Sequence, residues 1–281
     1  MRYKQIPLGI VPKSFWICCI LFAVFLVVAP VFILVKYSLS DVSSINTGGA
    51  PIPLWPYNPT VRTYIYLFTD LNFYMVLLNS LVVAVGTVAF SMVLGVPASY
   101  VLGRYKVPGR KLLILGLISV RFFPDISSVV PIAEFFIYCN AQNTYWGIIA
   151  AHSLLALPYV IFIGMGAFET IPADLEQQAR VMGASRFQIF YQILVPLAIP
   201  GLAAAAIYTF LLSWDEFIFS YFLLGIGNIS TLTLYLKKTM TYAPPQNLLA
   251  TISVCLSFPV IVFSLVLQKY MAAGITSGSV K

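Results

Sequence analysis

Arg121, Asp215 and Glu216 are the charged residues whose surroundings first ask for an explanation. Each falls inside an apolar run of bilayer-spanning length, where an isolated charge costs several kcal/mol. At ~1.5 Å per residue, Arg121 stands roughly 14 Å into its run and the two acids roughly 21 Å into theirs. Both runs are expected to lead outward, which sets the charges at similar depth. Two chemistries fit. One is an ion pair, or polar wall, inside a helical bundle. The other is a polar lining for a hydroxyl-rich solute, with Trp214 stacking on a sugar face. The ion pair is favoured, because charges inside bundles usually pair.

Catalytic and metal chemistry find little support. His152 is the only histidine and stands beside Ser153 in an apolar run. One histidine builds neither a triad nor a metal site, so a hydrogen-bonded packing role is expected. Cys18, Cys19, Cys139 and Cys255 lack the CxxC spacing of a zinc or redox site and read as structural thiols. The sequence contains no GxxxxGK[ST] phosphate loop and no HExxH. ATP hydrolysis by this chain is therefore not expected, and neither a catalytic residue nor a metal ligand is assigned.

The elements that position these residues are membrane spans. The chain is 60% hydrophobic and only 9% charged, whereas an ordinary soluble chain is about a quarter charged. Six runs reach the ~20 residues a bilayer requires: 15–35, 74–102, 112–136, 145–168, 201–224 and 248–267. The third contains Pro124 and Pro131 and is expected to be broken by them. The expected fold is all-α, a polytopic membrane protein of six transmembrane helices forming one membrane domain over 1–281. The net charge of +7 reads as cytoplasmic anchoring rather than nucleic-acid binding. With the N-terminus inside, Arg2, Lys4, Lys13, Arg104, Lys106, Arg110, Lys111, Arg180, Arg186, Lys269 and Lys281 are cytoplasmic, eleven positives against the four of Lys36, Arg62, Lys237 and Lys238. Both termini are then cytoplasmic, and so is the polar insert 172–200 between the fourth and fifth runs.

That insert is patterned as helix, turn, helix. Pro172 suits a helix start, and Asp174 and Glu176 follow near the positive end of the helix dipole. Leu175, Ala179, Met182, Phe187 and Phe190 supply the apolar positions. Gly183 breaks the first helix and Ser185 caps the second. An amphipathic linker lying on the membrane surface accounts for the same pattern.

The register Gln177, Gln178, Ala179, Gly183, Ile193, Val195, Pro196 resembles the EAA–three residues–G–nine residues–I–one residue–LP motif of inner-membrane permeases of ABC importers. Asn143–Gly147 (NTYWG), Trp214–Phe217 (WDEF), Ala98–Arg104 (ASYVLGR) and the tail Gly274–Lys281 (GITSGSVK) are similar to segments of the maltose-transporter type of carbohydrate permease. The resemblance implies an inner-membrane subunit translocating a sugar, oligosaccharide or polyol. It also implies a second homologous permease, two ATP-binding subunits that carry ATP and Mg, and an extracytoplasmic substrate-binding protein. Glu176, Gln177, Gln178, Ala179, Gly183 and Ser185 would form the cytoplasmic coupling helix that meets the ATPase. The sequence departs from the motif at its glutamate, which is Gln177 here, and at its first alanine, which is Gln178. Glu176, one position earlier, is expected to supply the missing acid.

Three other functions compete. A permease for a non-sugar solute such as a polyamine would share the coupling motif. An ion-coupled carrier or channel would need a repeated half or a relay of acids through several spans. A membrane enzyme would need clustered His or acid residues at an interface.

Overall fold

Long apolar runs free of charge become helices, because lipid offers no partner for an unpaired backbone amide. The computed structural model describes residues 13–45, 54–56 and 58–278. Arg2, Lys4, Lys281 and the last three residues of the tail lie outside the described residues. Two compact units are distinguished, residues 1–71 with 240–255, and residues 72–239 with 256–281.

In the first unit, α1 (Lys13–Ser38) is an apolar helix of 26 residues with Pro30 inside it, and its side chains stand exposed along most of its length. That exposure fits a bilayer as solvent. Two short helices follow, α2 (Val42–Ile45) and α3 (Arg62–Thr69). Tyr64 donates to Ser38 Oγ at 2.9 Å, and Asn247 Nδ2 donates to Thr63 Oγ1 at 3.1 Å. Leu67 and Ile252 are fully buried in this unit.

The second unit holds α4 (Phe73–Arg104), α5 (Arg110–Ser119), a 3-10 turn at Val120–Phe122, α6 (Asp125–Tyr138) and α7 (Tyr145–Glu169). Next come α8 (Ala173–Val181), α9 (Arg186–Gln188), a widened π turn over Ile189–Leu194, α10 (Val195–Asp215), α11 (Ile218–Leu224) and α12 (Leu232–Met240). The last helix, α13 (Gln246–Gly278), gives residues 246–255 to the first unit and the rest to the second. Between α4 and α7 the backbones meet at small residues. A Cβ at Gly95 would fall 2.5 Å from a Val160 methyl, and one at Gly164 would fall 2.6 Å from Ser99 Oγ. Small residues at such crossings let spanning helices approach without polar cost.

Five helices are long and apolar enough to cross a membrane, and α5 with α6 makes a sixth if the bent pair is one span. The chain is thus polytopic and all-α, with no strand among the described residues. Two sequence expectations need correction in detail. Pro124 breaks the third run, where the pair bends by 101°, but Pro131 lies inside α6 and does not interrupt it. Pro131 is the seventh residue of α6, past the first turn where proline is free of cost, so one backbone hydrogen bond is missing there, a loss that membrane helices tolerate where neighbouring groups satisfy the freed carbonyl. The fifth run does not begin at Gly201. A continuous helical stretch extends from Arg186 to Asp215, so the second half of the insert and the span are one element. It stops at Asp215, and α11 begins after two residues.

Candidate functional site

The insert is built around one turn. Met182 ends α8, and Gly183 takes φ +87°, a conformation that strains any residue with a Cβ. Gly183 N–H donates to Arg180 O and Ala184 N–H donates to Ala179 O, both at 3.0 Å. This paired closure satisfies carbonyls that the helix end would otherwise orphan. Two residues later Ser185 starts the next helix with a reciprocal cap. Gln188 N–H donates to Ser185 Oγ at 3.3 Å, and Ser185 N–H donates to Gln188 Oε1 at 2.8 Å.

Burial sorts the motif residues. Ala179 and Phe190 are buried against Tyr100, Phe168 and Ile189, which fixes the insert to the ends of α4 and α7. Gln177 and Gln178 are exposed. Val181, Met182 and Phe187 are 89%, 84% and 71% exposed, so the expected single apolar stripe is divided. One part anchors the turn and the other faces outward. Glu176 turns inward. Its Oε1 accepts from Arg180 Nη2 at 2.5 Å and from the Tyr100 hydroxyl at 3.4 Å. The hydrogen bond and charge of Glu176 hold the Arg180 guanidinium above its ordinary pKa. The acid expected to reach outward is thus engaged within the chain, and the motif position itself, Gln177, is the one presented to solvent.

The intramembrane charges are arranged differently from the expected pair. Glu216 follows the end of α10, and its carboxylate accepts Phe219 N–H at 2.8 Å and Ser220 N–H at 3.1 Å. These are orphan donors at the start of α11. His152 Nε2 lies 3.1 Å from Glu216 Oε2, with His152 fully buried. The other ring nitrogen bonds Ser213 Oγ at 2.8 Å, and Ser213 donates to Thr87 at 3.3 Å. Four helices, α4, α7, α10 and α11, therefore meet at one polar node. Asp215 points away and is exposed. Trp214 is buried, stacks on Phe210 at 5.5 Å and donates to Leu256 O at 3.1 Å. That leaves it a packing residue rather than an open sugar platform.

Arg121 lies in the 3-10 turn before the bend. Its guanidinium sits 5.4 Å from the Tyr159 ring centre, with Nε 3.4 Å from the Tyr159 hydroxyl. Tyr159 packs on Tyr208 at 4.8 Å. The side chain that meets the Glu216 carboxylate is thus His152, and Arg121 is held on an aromatic face, where a cation is stabilised by the ring quadrupole.

Sequence reasoning missed two partners, His152 for Glu216 and Tyr100 for Glu176. The first had a signal. A histidine in a span is subject to the same desolvation that drew attention to Arg121. The second had none, because Tyr100 is 76 residues away in sequence. Among the described residues no group of His, Cys, Asp and Glu is arranged to hold a metal ion.

Residues 14–277 match the family described as "Binding-protein-dependent transport system inner membrane component". The chain is 31% identical over 255 residues to a trehalose transport system permease protein of Mycobacterium tuberculosis, covering 90% of this chain and 92% of that one. It is 29% identical over 232 residues to a sulfoquinovosyl glycerol transport system permease protein of Agrobacterium fabrum, covering 82% and 81%. Among solved structures it is similar to a chain of a bacterial ABC transporter that imports the acidic polysaccharide alginate, with a TM-score of 0.75, 23% identity, and 92% and 98% of the two chains covered. This last likeness shows the fold.

Proposed function

Because the chain belongs to the family of binding-protein-dependent transport system inner membrane components, we propose that it is the permease subunit that carries a carbohydrate through an ATP-driven importer. The observation that carries this reading is the outward face of the insert, where Gln177, Gln178, Val181, Met182 and Phe187 are exposed on a turn fixed to the spanning bundle. Such a face suits an ATPase subunit whose movement drives the spans. The sugar-class substrate is supported by relatives that bear the names of trehalose and sulfoquinovosyl glycerol systems.

In this reading two ATP-binding subunits, a second permease and an extracytoplasmic binding protein complete the machine. ATP and Mg reside on the ATPase subunits and supply the energy. This chain transmits it. Movement of the docked turn passes into the helical stretch Arg186–Asp215 as a rigid body and shifts the bundle between inward- and outward-open states. The eleven-to-four distribution of basic residues supports a cytoplasmic insert and cytoplasmic termini.

The test is the reconstituted importer with its own binding protein, assayed with labelled disaccharides, oligosaccharides, polyols, spermidine and amino acids. ATP-dependent uptake of a sugar or polyol is expected. Uptake of spermidine or an amino acid alone would reject the carbohydrate assignment. Labelling of Ser185→Cys by an impermeant maleimide should require opened vesicles; labelling from outside intact cells would invert the topology.

A further inference from the structure

Burial separates the polar residues of the spans into two sets. Trp214 is buried, and Glu216 is engaged by His152, Phe219 and Ser220, so neither is left to meet a solute. Arg121, Tyr159 and Tyr208 are each half-exposed and form one patch. The Arg121 guanidinium sits 5.4 Å from the Tyr159 ring centre, and the Tyr159 and Tyr208 ring centres are 4.8 Å apart. Three elements meet there: the 3-10 turn after α5, α7 and α10. Asp215 adds a second charge to the same side of α10. It follows Tyr208 by two turns, about 20° away around the helix, and is exposed.

Depth decides what such a patch faces. Arg121 lies within the third run, immediately before the bend of 101°. A half-exposed cation turned toward hydrocarbon is costly, and charged residues at this depth line polar interiors or solute pathways. Interrupted spans near the bilayer midplane are where transporters hold their solutes. The side chains then select among solutes. A guanidinium presents parallel N–H donors to two adjacent oxygens. A tyrosine ring packs against the C–H face of a sugar, and its hydroxyl both donates and accepts. A polyamine offers no such oxygens and is repelled by the fixed positive charge.

We propose that Arg121 and Tyr208 are the residues of this chain that touch the transported solute, the guanidinium spanning two neighbouring oxygens of a sugar while the Tyr208 ring packs against its C–H face. Tyr159 is a positioning residue that holds the guanidinium between them. The inference rests on the carbohydrate reading above and adds where this chain meets the sugar. Two neighbouring oxygens come from a vicinal diol of a neutral sugar or from the acid group of a sugar acid, and both fit the fork. The patch uses neither the coupling turn nor the node at Glu216.

The experiment uses the assembled importer with its binding protein, reconstituted in vesicles, and the sugar that the uptake panel identifies. No sugar uptake by the unaltered importer would reject the carbohydrate reading itself. Given uptake, a diazirine analogue of that sugar is photolysed on the unaltered importer held with ATP and vanadate, and the labelled peptides are sequenced. Labelling of the peptides that contain Arg121 and Tyr208, prevented by excess unlabelled sugar, is expected. Label confined to the second permease overturns the proposal. Arg121→Gln should lower sugar uptake at least about tenfold, the loss of one hydrogen bond to a charged group, with the subunits still associated in a pull-down. Arg121→Lys distinguishes the two oxygen sources: uptake of a sugar acid survives on charge alone, whereas uptake of a neutral sugar needs the fork and falls. Tyr159→Phe keeps the ring and loses the hydroxyl, so it should lower both uptake and competable labelling, by less than Arg121→Gln does. Undiminished uptake in Arg121→Gln overturns the proposal. So does release of the second permease from that variant, which would make the patch a subunit contact. A variant too unstable to purify leaves the photolabelling of the unaltered importer to decide.

Discussion

His152 Nε2 lies 3.1 Å from Glu216 Oε2, both side chains out of solvent, at the break between α10 and α11. Glu216 also caps α11 through Phe219 and Ser220. Removing its carboxylate therefore strands a histidine and two amides together. Glu216→Ala should destabilise the purified complex, by ~1–3 kcal/mol for each buried donor left without an acceptor. Glu216→Gln, which keeps one acceptor oxygen, should lose less. Asp215→Asn should change thermal stability little, because Asp215 is exposed. Equal losses at positions 215 and 216 would refute the node.

The αL turn gives a second expectation. A Cβ at Gly183 meets no atom within 4 Å, so crowding inside the chain is absent and backbone strain alone acts. Gly183→Val should cost ~1–2 kcal/mol at the turn and uncouple ATP hydrolysis from uptake, with membrane insertion unchanged. Gly183→Asn should be milder, since asparagine enters this region more readily. Normal coupling in the valine variant would leave the turn without a role in transmission.

Glu176 and Gln177 are adjacent and should separate by assay. Glu176 bonds within the chain and Gln177 does not face it. Gln177→Ala should release the ATPase subunits in a pull-down with little change in thermal stability. Glu176→Gln should lower stability slightly through the loss of its charge-assisted bond to Arg180, because a pair with a solvent-exposed guanidinium contributes little. Stronger ATPase release by Glu176→Gln than by Gln177→Ala would return the partner contact to the acid.

The α4–α7 contact is tested by two glycines. Gly95→Ala places a methyl 2.5 Å from Val160, whereas Gly166 has nothing within 4 Å. The first should cost ~1–3 kcal/mol by overpacking, and Gly166→Ala should be tolerated. Unfolding midpoints of the two variants in the same detergent provide the comparison; indistinguishable midpoints would contradict the packing.

Most of this architecture was legible in the chain because lipid imposes a simple rule on it. An apolar run must be a helix, so the runs beginning at Phe15, Tyr74 and Tyr145 fell within a few residues of α1, α4 and α7. Local chemistry was also legible, as Gly183 and Ser185 act through neighbours within three or four positions. Pairings across helices were not. Hydropathy gives no rotation about a helix axis, so it did not reveal that Glu216 turns toward His152 while Asp215 turns away, or that the Trp214 indole reaches Leu256 O on α13. The start of the fifth span was misplaced for a related reason. The sequence pattern sets the insert's end at residue 200, yet the helix runs through Pro196 and Pro200 after the π turn at Ile189–Leu194.

That uninterrupted stretch from Arg186 to Asp215 makes sequence spacing a matter of phase. Each residue advances an α-helix by about 100°. One residue inserted between Gln188 and Pro196 would turn Ala198, Leu202, Ala205 and Ser213 away from the neighbours they now meet, although every side chain survived. A coupling insert grafted from another permease would fit only if it arrived with the correct number of residues before the span. The interval from Gly183 to Pro196 is thus a dial setting, aligning a surface meant for one partner with an interior meant for another.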